Sequence, residues 1–254
     1  KIVAYSDTYY QDRQRHGIGL DEARRLMRNR NFYGPMMVKM GDADAYVTGS
    51  MVKYTRAVKP VLEILGPKAR GRAVAGVYVM LTKKGPKFFA DTAINQDPTA
   101  ERVAEIAVQA AELVKRMNIE PSIALLSYSN FGSSDGKTPK KMRDALHILH
   151  ENHPDLTVDG EMQANFAVDK DQLKEQFPFS DLVGSPPNIF IFPGLSSANI
   201  GYKLLQSMAG MEAVGPLLIG LDYPAHVLQL GADVREIVNT TAMAVVDAQS
   251  RETR

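Results

Sequence analysis

The sequence contains no cysteine, and this excludes disulfide bonds, thiolate metal ligands and a thiol nucleophile. It also lacks a predominant charge, because 30 Lys and Arg residues are balanced by 29 Asp and Glu residues. Balanced charge gives no electrostatic reason to expect a nucleic-acid or membrane partner. No apolar run is long enough to span a bilayer, and no stretch has the pattern of a signal peptide. We therefore expect a cytoplasmic protein with no nucleic-acid partner and no membrane partner.

Several common ligand-binding motifs are missing as well. The sequence contains no P-loop, G-x-G-x-x-G or H-E-x-x-H element, so nucleotide, dinucleotide and zinc-protease functions lose their usual support. Three histidines, His147, His150 and His153, lie at helical spacing and are candidate metal ligands. The neighbouring acids Glu151 and Asp155 instead favour a solvated helix face, so we predict no metal site in this sequence.

The residues that are present alternate between helix and strand patterns. Residues 74–82 and 87–94 flank the turn sequence KKGP and predict a β-hairpin. The clearest helix pattern begins at Asp97, and it ends near Met117. In this interpretation Asp97 caps the helix and Pro98 occupies its first position.

The same alternation continues to the end of the chain. With 254 residues and 44% hydrophobic content, the sequence can form one large core or two smaller ones. Nearly continuous apolar strands occupy 122–129, 188–194 and 215–221, with helical periodicity between them. This pattern predicts an α/β fold with a largely parallel sheet. The segments after these strands are rich in hydroxyl and amide groups, which favours a polar crevice for a small phosphorylated ligand.

Two polar segments are candidates for holding that ligand. Lys53, Arg56 and Lys59 are three residues apart and share one face if helical, with Thr55 among them. Such a stripe either clamps phosphates or forms a solvated basic face. The hydroxyl-rich segment 127–134 either bonds an anion or caps the preceding strand.

Several longer segments resemble the phosphate acetyl/butyryltransferase family. They are FADTAINQDPTAERVAEIA, ALLSYSNFGSS, VDGEMQ, IFPGLSSANIGYKLLQ and AVGPLLIGLDYP, and they follow the family's order over essentially the whole chain. The resemblance implies two α/β domains with largely parallel sheets and a cleft between them. The first domain would comprise residues 1–72 and 217–254, and the second residues 73–216. The family's first strand–helix units are missing, so we expect the sequence to be a fragment of a longer chain.

The resemblance also implies the loss of a catalytic pair. Active family members carry a serine and an arginine before the last helix, where they hold phosphate, and an acidic residue is the proposed base for the coenzyme A thiol. Alignment on Pro224 and Gly231 places Gln229 at the serine position and Leu230 at the arginine position. Glu236 takes the acidic position. Removing a cation from a phosphoryl-transfer site costs on the order of 10³ in rate, so we predict no catalytic residues here.

Ligand-binding residues are implied by the same comparison. Arg13 matches a family arginine that interacts with coenzyme A, and Lys59 retains a basic residue where the family has arginine. The full set of candidate acetyl-CoA contacts is Arg13, Lys53, Thr55, Arg56, Lys59, Ser127, Ser129, Asn199 and Glu236.

The segments PAHVLQLG, LSYSNFGSS and VNTTAMAVVDAQ resemble the C-terminal domain of multidomain NADP-dependent malic enzymes. This implies a domain without transferase activity that binds acetyl-CoA as an allosteric inhibitor and helps to form a homo-oligomer, at least a dimer. NADP and Mg²⁺ or Mn²⁺ would belong only to the malic-enzyme catalytic domain, which these residues do not contain. Two alternatives remain open: an active phosphate acetyltransferase that uses Glu236 as base, and a purely structural dimerisation module.

Overall fold

The computed structural model describes residues 1–67 and 72–252, and these form two compact units. Unit 1 comprises Lys1–Gly71 and Gly220–Arg254, and unit 2 comprises Arg72–Ile219. The chain therefore leaves unit 1 and later returns to it. The return lies beyond residue 216, because a strand that belongs to unit 2 continues to Ile219.

The helices and strands follow the alternation that the sequence predicts. The helices are α1 (Ile2–Arg13), α2 (Leu20–Leu26), α3 (Arg30–Lys39), α4 (Tyr54–Leu65), α5 (Ala100–Arg116), α6 (Lys137–Asn152), α7 (Ala164–Val168), α8 (Lys170–Gln176), α9 (Leu195–Ala209) and α10 (Val234–Glu252). The strands are β1 (Tyr46–Ser50), β2 (Ala75–Thr82), β3 (Gly85–Ala90), β4 (Ser122–Leu126), β5 (Thr157–Met162), β6 (Ile189–Ile191), β7 (Ala213–Ile219) and β8 (Ala225–Leu230). Within this described part, no helix is long and apolar enough to cross a membrane.

Unit 1 is built around the parallel pair β1 and β8, which α3, α4 and α10 contact. Helix α4 buries Val58, Val61 and Leu65, whose spacing of three and four residues places them on one face. Gln229 and Leu230, which the resemblance places before the last helix, are the last two residues of β8. The sequence analysis did not predict β8, because its partner β1 is distant in the sequence and no local pattern indicates their pairing.

Unit 2 contains a six-stranded sheet in the order β5-β4-β6-β3-β2-β7. Strands β5, β4, β6 and β3 are parallel, whereas β2 and β7 are antiparallel to their neighbours. The predicted α/β fold with mainly parallel strands is therefore confirmed, and so is the β2–β3 hairpin. The second hairpin strand ends at Ala90 instead of residue 94, because the carboxylate of Asp91 accepts the backbone N–H groups of Ala93 and Asn95 and turns the chain.

The start of α5 differs from the prediction. Thr99, not Asp97, is the capping residue, and its hydroxyl accepts the backbone N–H of Arg102. Asp97 instead pairs with Lys141 of α6, with 2.7 Å between the carboxylate and the ammonium. The predicted cap was wrong because both residue types suit an N-cap, and only the tertiary ion pair decides which of them begins the helix.

Candidate functional site

In unit 1 the parallel pairing of β1 and β8 brings two predicted segments to one edge of the sheet. The register pairs Ser50 with Leu230, and the backbone N–H of Gly231 donates to Ser50 O at 2.8 Å. The chain after β1 leads into α4, whose first turn carries Thr55 and Arg56, and the chain after β8 leads into α10. The carboxyl ends of parallel strands are where α/β folds place their ligands.

Close approach of the two strands requires a glycine at position 49. Gly49 has a φ of +113°, and a Cβ there would lie 2.2 Å from the backbone oxygen of Leu228. Any larger residue would therefore be strained twice, by its backbone conformation and by a clash with the partner strand.

Leu230, at the position where the family has an arginine, is the last residue of β8. The Leu230 side chain is 61% exposed at the end of β8, and Gln229 before it is half-buried. Neither side chain has a positive charge. Residues 229 and 230, at the positions of the family's serine and arginine, therefore cannot form an ion pair with an anion.

Glu236, at the acidic position, takes part in a capping box at the start of α10. The backbone N–H of Asp233 donates to Glu236 Oε2 at 3.0 Å, and the backbone N–H of Glu236 donates to Asp233 Oδ1 at 2.8 Å. This reciprocal arrangement satisfies two N–H groups that the helix leaves without an intrahelical partner. The Asp-x-x-Glu pattern was readable in the sequence, but the sequence analysis missed it.

Arg13 and Lys59 meet at a carboxylate that sequence reasoning did not select. Arg13 Nη2 lies 3.9 Å and Lys59 Nζ 3.8 Å from Glu63 Oε1, and the Tyr9 hydroxyl donates to Glu63 Oε2 at 3.2 Å. Arg13 Nε is buried and makes no hydrogen bond within the described residues. The structure thus joins two predicted binding residues into one cluster, which we call the Arg13 cluster (Tyr9, Arg13, Lys59 and Glu63).

Burial of the Tyr9 ring, followed by the nearby charge of Glu63, raises the pKa of Tyr9 to about 12. The phenol therefore remains a donor to Glu63 at neutral pH. The other members of the basic stripe, Lys53 and Arg56, are exposed, as is Thr55 between them. Lys53 ends the loop before α4, and its backbone oxygen accepts the N–H of Arg56.

In unit 2 the hydroxyl-rich segment wraps around a buried carboxylate. Glu161 at the end of β5 is fully buried, and its Oε1 accepts hydrogen bonds from Ser129 Oγ at 2.8 Å and Gly132 N at 3.1 Å. Arg143 Nη1 donates to the same oxygen at 2.8 Å. Ser129 itself is buried, so its hydroxyl holds the loop in place, which favours the capping interpretation that the sequence left open.

Arg143 and Glu161 were missed by the sequence analysis. The available signal was the presence of two acidic residues, Asp159 and Glu161, in a segment with a strand pattern, because a buried acidic side chain needs a partner. Arg143 on α6 supplies that partner and also donates to the backbone oxygen of Ser134 at 3.1 Å. The ion pair therefore fixes both ends of the loop relative to β5.

Ser127 and Asn199 lie at the same edge of the unit 2 sheet. Ser127 follows β4, and Asn199 is in α9, which follows β6, and these two strands are parallel neighbours. Both side chains are half-buried. The described residues contain no group of three or more His, Asp or Glu side chains arranged to hold a metal ion. Of His147, His150 and His153, the first two lie in α6, and His150 Nε2 is 3.1 Å from Val158 O.

Comparison with known proteins gives consistent matches along the whole chain. The family profile described as phosphate acetyl/butaryl transferase matches residues 1–245. The chain is 42% identical, over 98% of its length, to the NADP-dependent malic enzyme of Salmonella typhimurium, of which it covers 33%. It is 36% identical, over 99% of its length, to the phosphate acetyltransferase of Corynebacterium glutamicum, of which it covers 76%.

A solved structure shows the same fold. The phosphotransacetylase from Streptococcus pyogenes matches with a TM-score of 0.91 and 35% identity, over 98% of this chain and 76% of that one. The chain spans about a third of the length of the malic enzymes it matches.

Proposed function

The chain belongs to the phosphate acetyl/butaryl transferase family, and we propose that it is a regulatory member without transferase activity, part of an NADP-dependent malic enzyme. Its effector is acetyl-CoA. The oxidative decarboxylation of malate to pyruvate, together with the sites for NADP and the divalent cation, belongs to the rest of such a chain. Sequence identity of 42% and 40% to the malic enzymes of Salmonella typhimurium and Escherichia coli, over about a third of their length, supports this assignment.

The proposed lack of transferase activity depends mainly on Leu230. Catalysis of phosphoryl or acyl transfer depends on charges placed where the transition state develops charge. An exposed leucine at the end of β8 supplies neither a charge nor a hydrogen bond there. Gln229 can donate a hydrogen bond, but it cannot replace the missing cation. Glu236 is engaged with the backbone of Asp233, and a general base must instead reach the proton it removes.

Ligand binding is favoured by the Arg13 cluster. Two cations share one carboxylate, so the cluster retains a net positive charge, and Arg13 Nε has no hydrogen-bond partner in the described part of the chain. Phosphate groups of coenzyme A pair well with such a site, because charge-assisted hydrogen bonds are about twice as strong as neutral ones. Binding alone does not make a regulator: the ligand must favour one state of the enzyme, by a coupling of typically about 1–3 kcal/mol.

Titration calorimetry with acetyl-CoA on this chain tests the proposal. We expect saturable binding that Arg13→Gln weakens about tenfold or more. Glu63→Gln should tighten binding, because the carboxylate competes with the phosphates for the two cations. Arg24→Gln removes an exposed arginine that pairs with Asp21 at 3.5 Å, and it should leave the affinity unchanged. No binding at millimolar acetyl-CoA would refute the proposal.

An active phosphate acetyltransferase is the second candidate, favoured by the 36% identity to the enzyme of Corynebacterium glutamicum over 99% of the chain. It requires formation of acetyl-CoA from acetyl phosphate and coenzyme A. A rate equal to that of buffer would exclude it, whereas turnover would exclude the assignment as a domain without transferase activity.

A structural oligomerisation module is the third candidate. Helix α10 exposes Val234, Val238 and Val245 on one side, which is unusual for a helix that faces only water. This candidate requires that deleting the domain changes the oligomer of the longer chain, while acetyl-CoA leaves its malic activity unchanged.

A further inference from the structure

One face of the unit 2 sheet carries two separate hydrophobic clusters. The first gathers residues of β4, β5, β6, α7 and α8, among them Leu126, Leu173 and Phe190. The second, around Met80, joins β2 to α9. Phe89 of β3 packs against both clusters. Between them lies a cavity of about 820 Å³, which is within the range of roughly 300–1,000 Å³ that is typical of small-molecule sites.

The cavity is mostly apolar. Of the lysines that line it, Lys84, Lys87 and Lys170, only Lys87 belongs to a strand of the sheet. Lys87 of β3 pairs in register with Met80, so both point to the face that also carries Phe89 and Phe190. Lys87 Nζ donates to Pro187 O at 2.7 Å and lies 5.9 Å from the ring centroid of Phe190. An ammonium group has three donors, and this hydrogen bond uses one of them.

Lys87 is a half-buried cation that no described carboxylate pairs with. Within residues 1–67 and 72–252 no carboxylate forms an ion pair with it, and burial, followed by the charge of Lys84, lowers its pKa. The acids that line the cavity are Asp169 and Asp171, and Asp169 Oδ1 already accepts two backbone N–H groups as the cap of α8. A partly buried charge is costly unless it is paired, so an anionic ligand would be favoured at this end of the cavity.

We propose that this cavity is a ligand site for an amphipathic carboxylate, with its apolar body between the two clusters and its carboxylate on Lys87. Lys87 lies near the start of β3, whereas Ser127 and Asn199 follow the ends of strands parallel to β3. The site is therefore at the opposite edge of the sheet from the candidate acetyl-CoA residues of unit 2. It is a function beyond effector binding and does not depend on it.

Decanoate is a suitable probe, because it combines a flexible apolar chain with one carboxylate. Titration calorimetry on the chain should show saturable binding at one equivalent. Lys87→Met should weaken decanoate binding about tenfold or more, because a charge-assisted contact is lost, and Lys87→Arg should retain most of the affinity. Decanol, which lacks the charge, should bind about tenfold or more weakly than decanoate. Lys115→Met removes an exposed lysine of α5 and should change nothing.

A second variant tests the apolar part of the site. Leu205 of α9 lines the cavity, and Leu205→Trp should fill it and abolish decanoate binding while Lys87 remains. Circular dichroism of the unliganded variants checks that they are folded, and decanol keeps the charge test valid if Lys87→Met does not fold.

Three results would overturn the proposal: no saturable binding at millimolar decanoate, equal affinities for decanoate and decanol, or competitive displacement of decanoate by acetyl-CoA. The last would place both ligands in one site. A failure of acetyl-CoA to bind, with decanoate binding intact, would count against the proposed effector and not against this cavity.

Discussion

Asp233 and Glu236 cap α10 reciprocally, each accepting the backbone N–H of the other at 2.8 and 3.0 Å. The carboxylate that the family comparison would assign to catalysis is thus used to begin a helix. Asp233→Ala should lower the free energy of unfolding by about 1 kcal/mol, the usual effect of losing an N-cap side chain. Urea denaturation measures the change, and a double-mutant cycle with Glu236→Ala should show coupling between the two residues. Additive effects would mean that the capping box does not persist in solution.

Restoring the family pair should create activity. Leu230→Arg combined with Gln229→Ser adds a cation and a hydroxyl at the end of β8, and we expect acetyl-CoA formation from acetyl phosphate to rise clearly above the wild-type rate. Leu230→Met is the matched control, since it changes the same exposed position without adding charge. An inactive double variant that still binds acetyl-CoA would show that more than these two positions separates the chain from active transferases.

Breaking the buried pair of Arg143 and Glu161 should be costly. Arg143→Met leaves the Glu161 carboxylate, which is fully buried, without its positive partner. The expected loss is about 3–5 kcal/mol in the free energy of unfolding, as for other buried pairs from which one member is removed. Lys140→Met, in the exposed pair with Asp144, should cost less than about 1 kcal/mol. Similar losses in both variants would contradict the structural role assigned to Glu161.

Alkaline pH should destabilise unit 1. Burial raises the pKa of Tyr5 to about 12, aided by its hydrogen bond to Asp42, and burial also raises the pKa of Tyr9 to about 12. Both folded-state pKa values lie above the ordinary value of 10.0, so the protonated phenols stabilise the folded state. Their contribution to the free energy of unfolding is fully present below pH 10 and is lost as the pH rises toward 12.

The measurement is the free energy of unfolding between pH 9 and 12, with tyrosine ionisation followed by ultraviolet absorbance. Tyr9→Phe should reduce the slope above pH 10, whereas Tyr128→Phe, with a 61% exposed ring, should leave it unchanged. An unaltered slope in Tyr9→Phe would contradict the assignment.

Gly49→Ala tests the close approach of β1 and β8. The added Cβ would lie 2.2 Å from Leu228 O at a positive φ, so we expect a loss of about 2 kcal/mol or more in the free energy of unfolding. Gly17→Ala is the matched control, because Gly17 also has a positive φ, +86°, but no heavy atom lies within 4 Å of a Cβ there. The difference between the two variants isolates the clash from the backbone strain.

The sequence predicted secondary structure correctly where residues close together in the sequence determine it. The hairpin was predicted because alternating residues flank a turn sequence, and the long helix α5 because its apolar residues recur at steps of three and four. Its first residue was misplaced, since Asp97 and Thr99 have the same local preference and only the ion pair with Lys141 separates them.

The sequence by itself determined the fold class, the family and the identity of the residues at positions 229, 230 and 236, because each of these depends on composition, periodicity or residue order. Only the tertiary structure decided which side chains meet. In the structure, Glu63 lies between Arg13 and Lys59, and Ser129 donates a hydrogen bond to Glu161. Leu230 is the last residue of a strand. Lys87 lines a cavity, and no described carboxylate pairs with it. Contacts of this kind join residues that are distant along the chain, and the free energy that selects them comes from burial and pairing, which no local pattern contains.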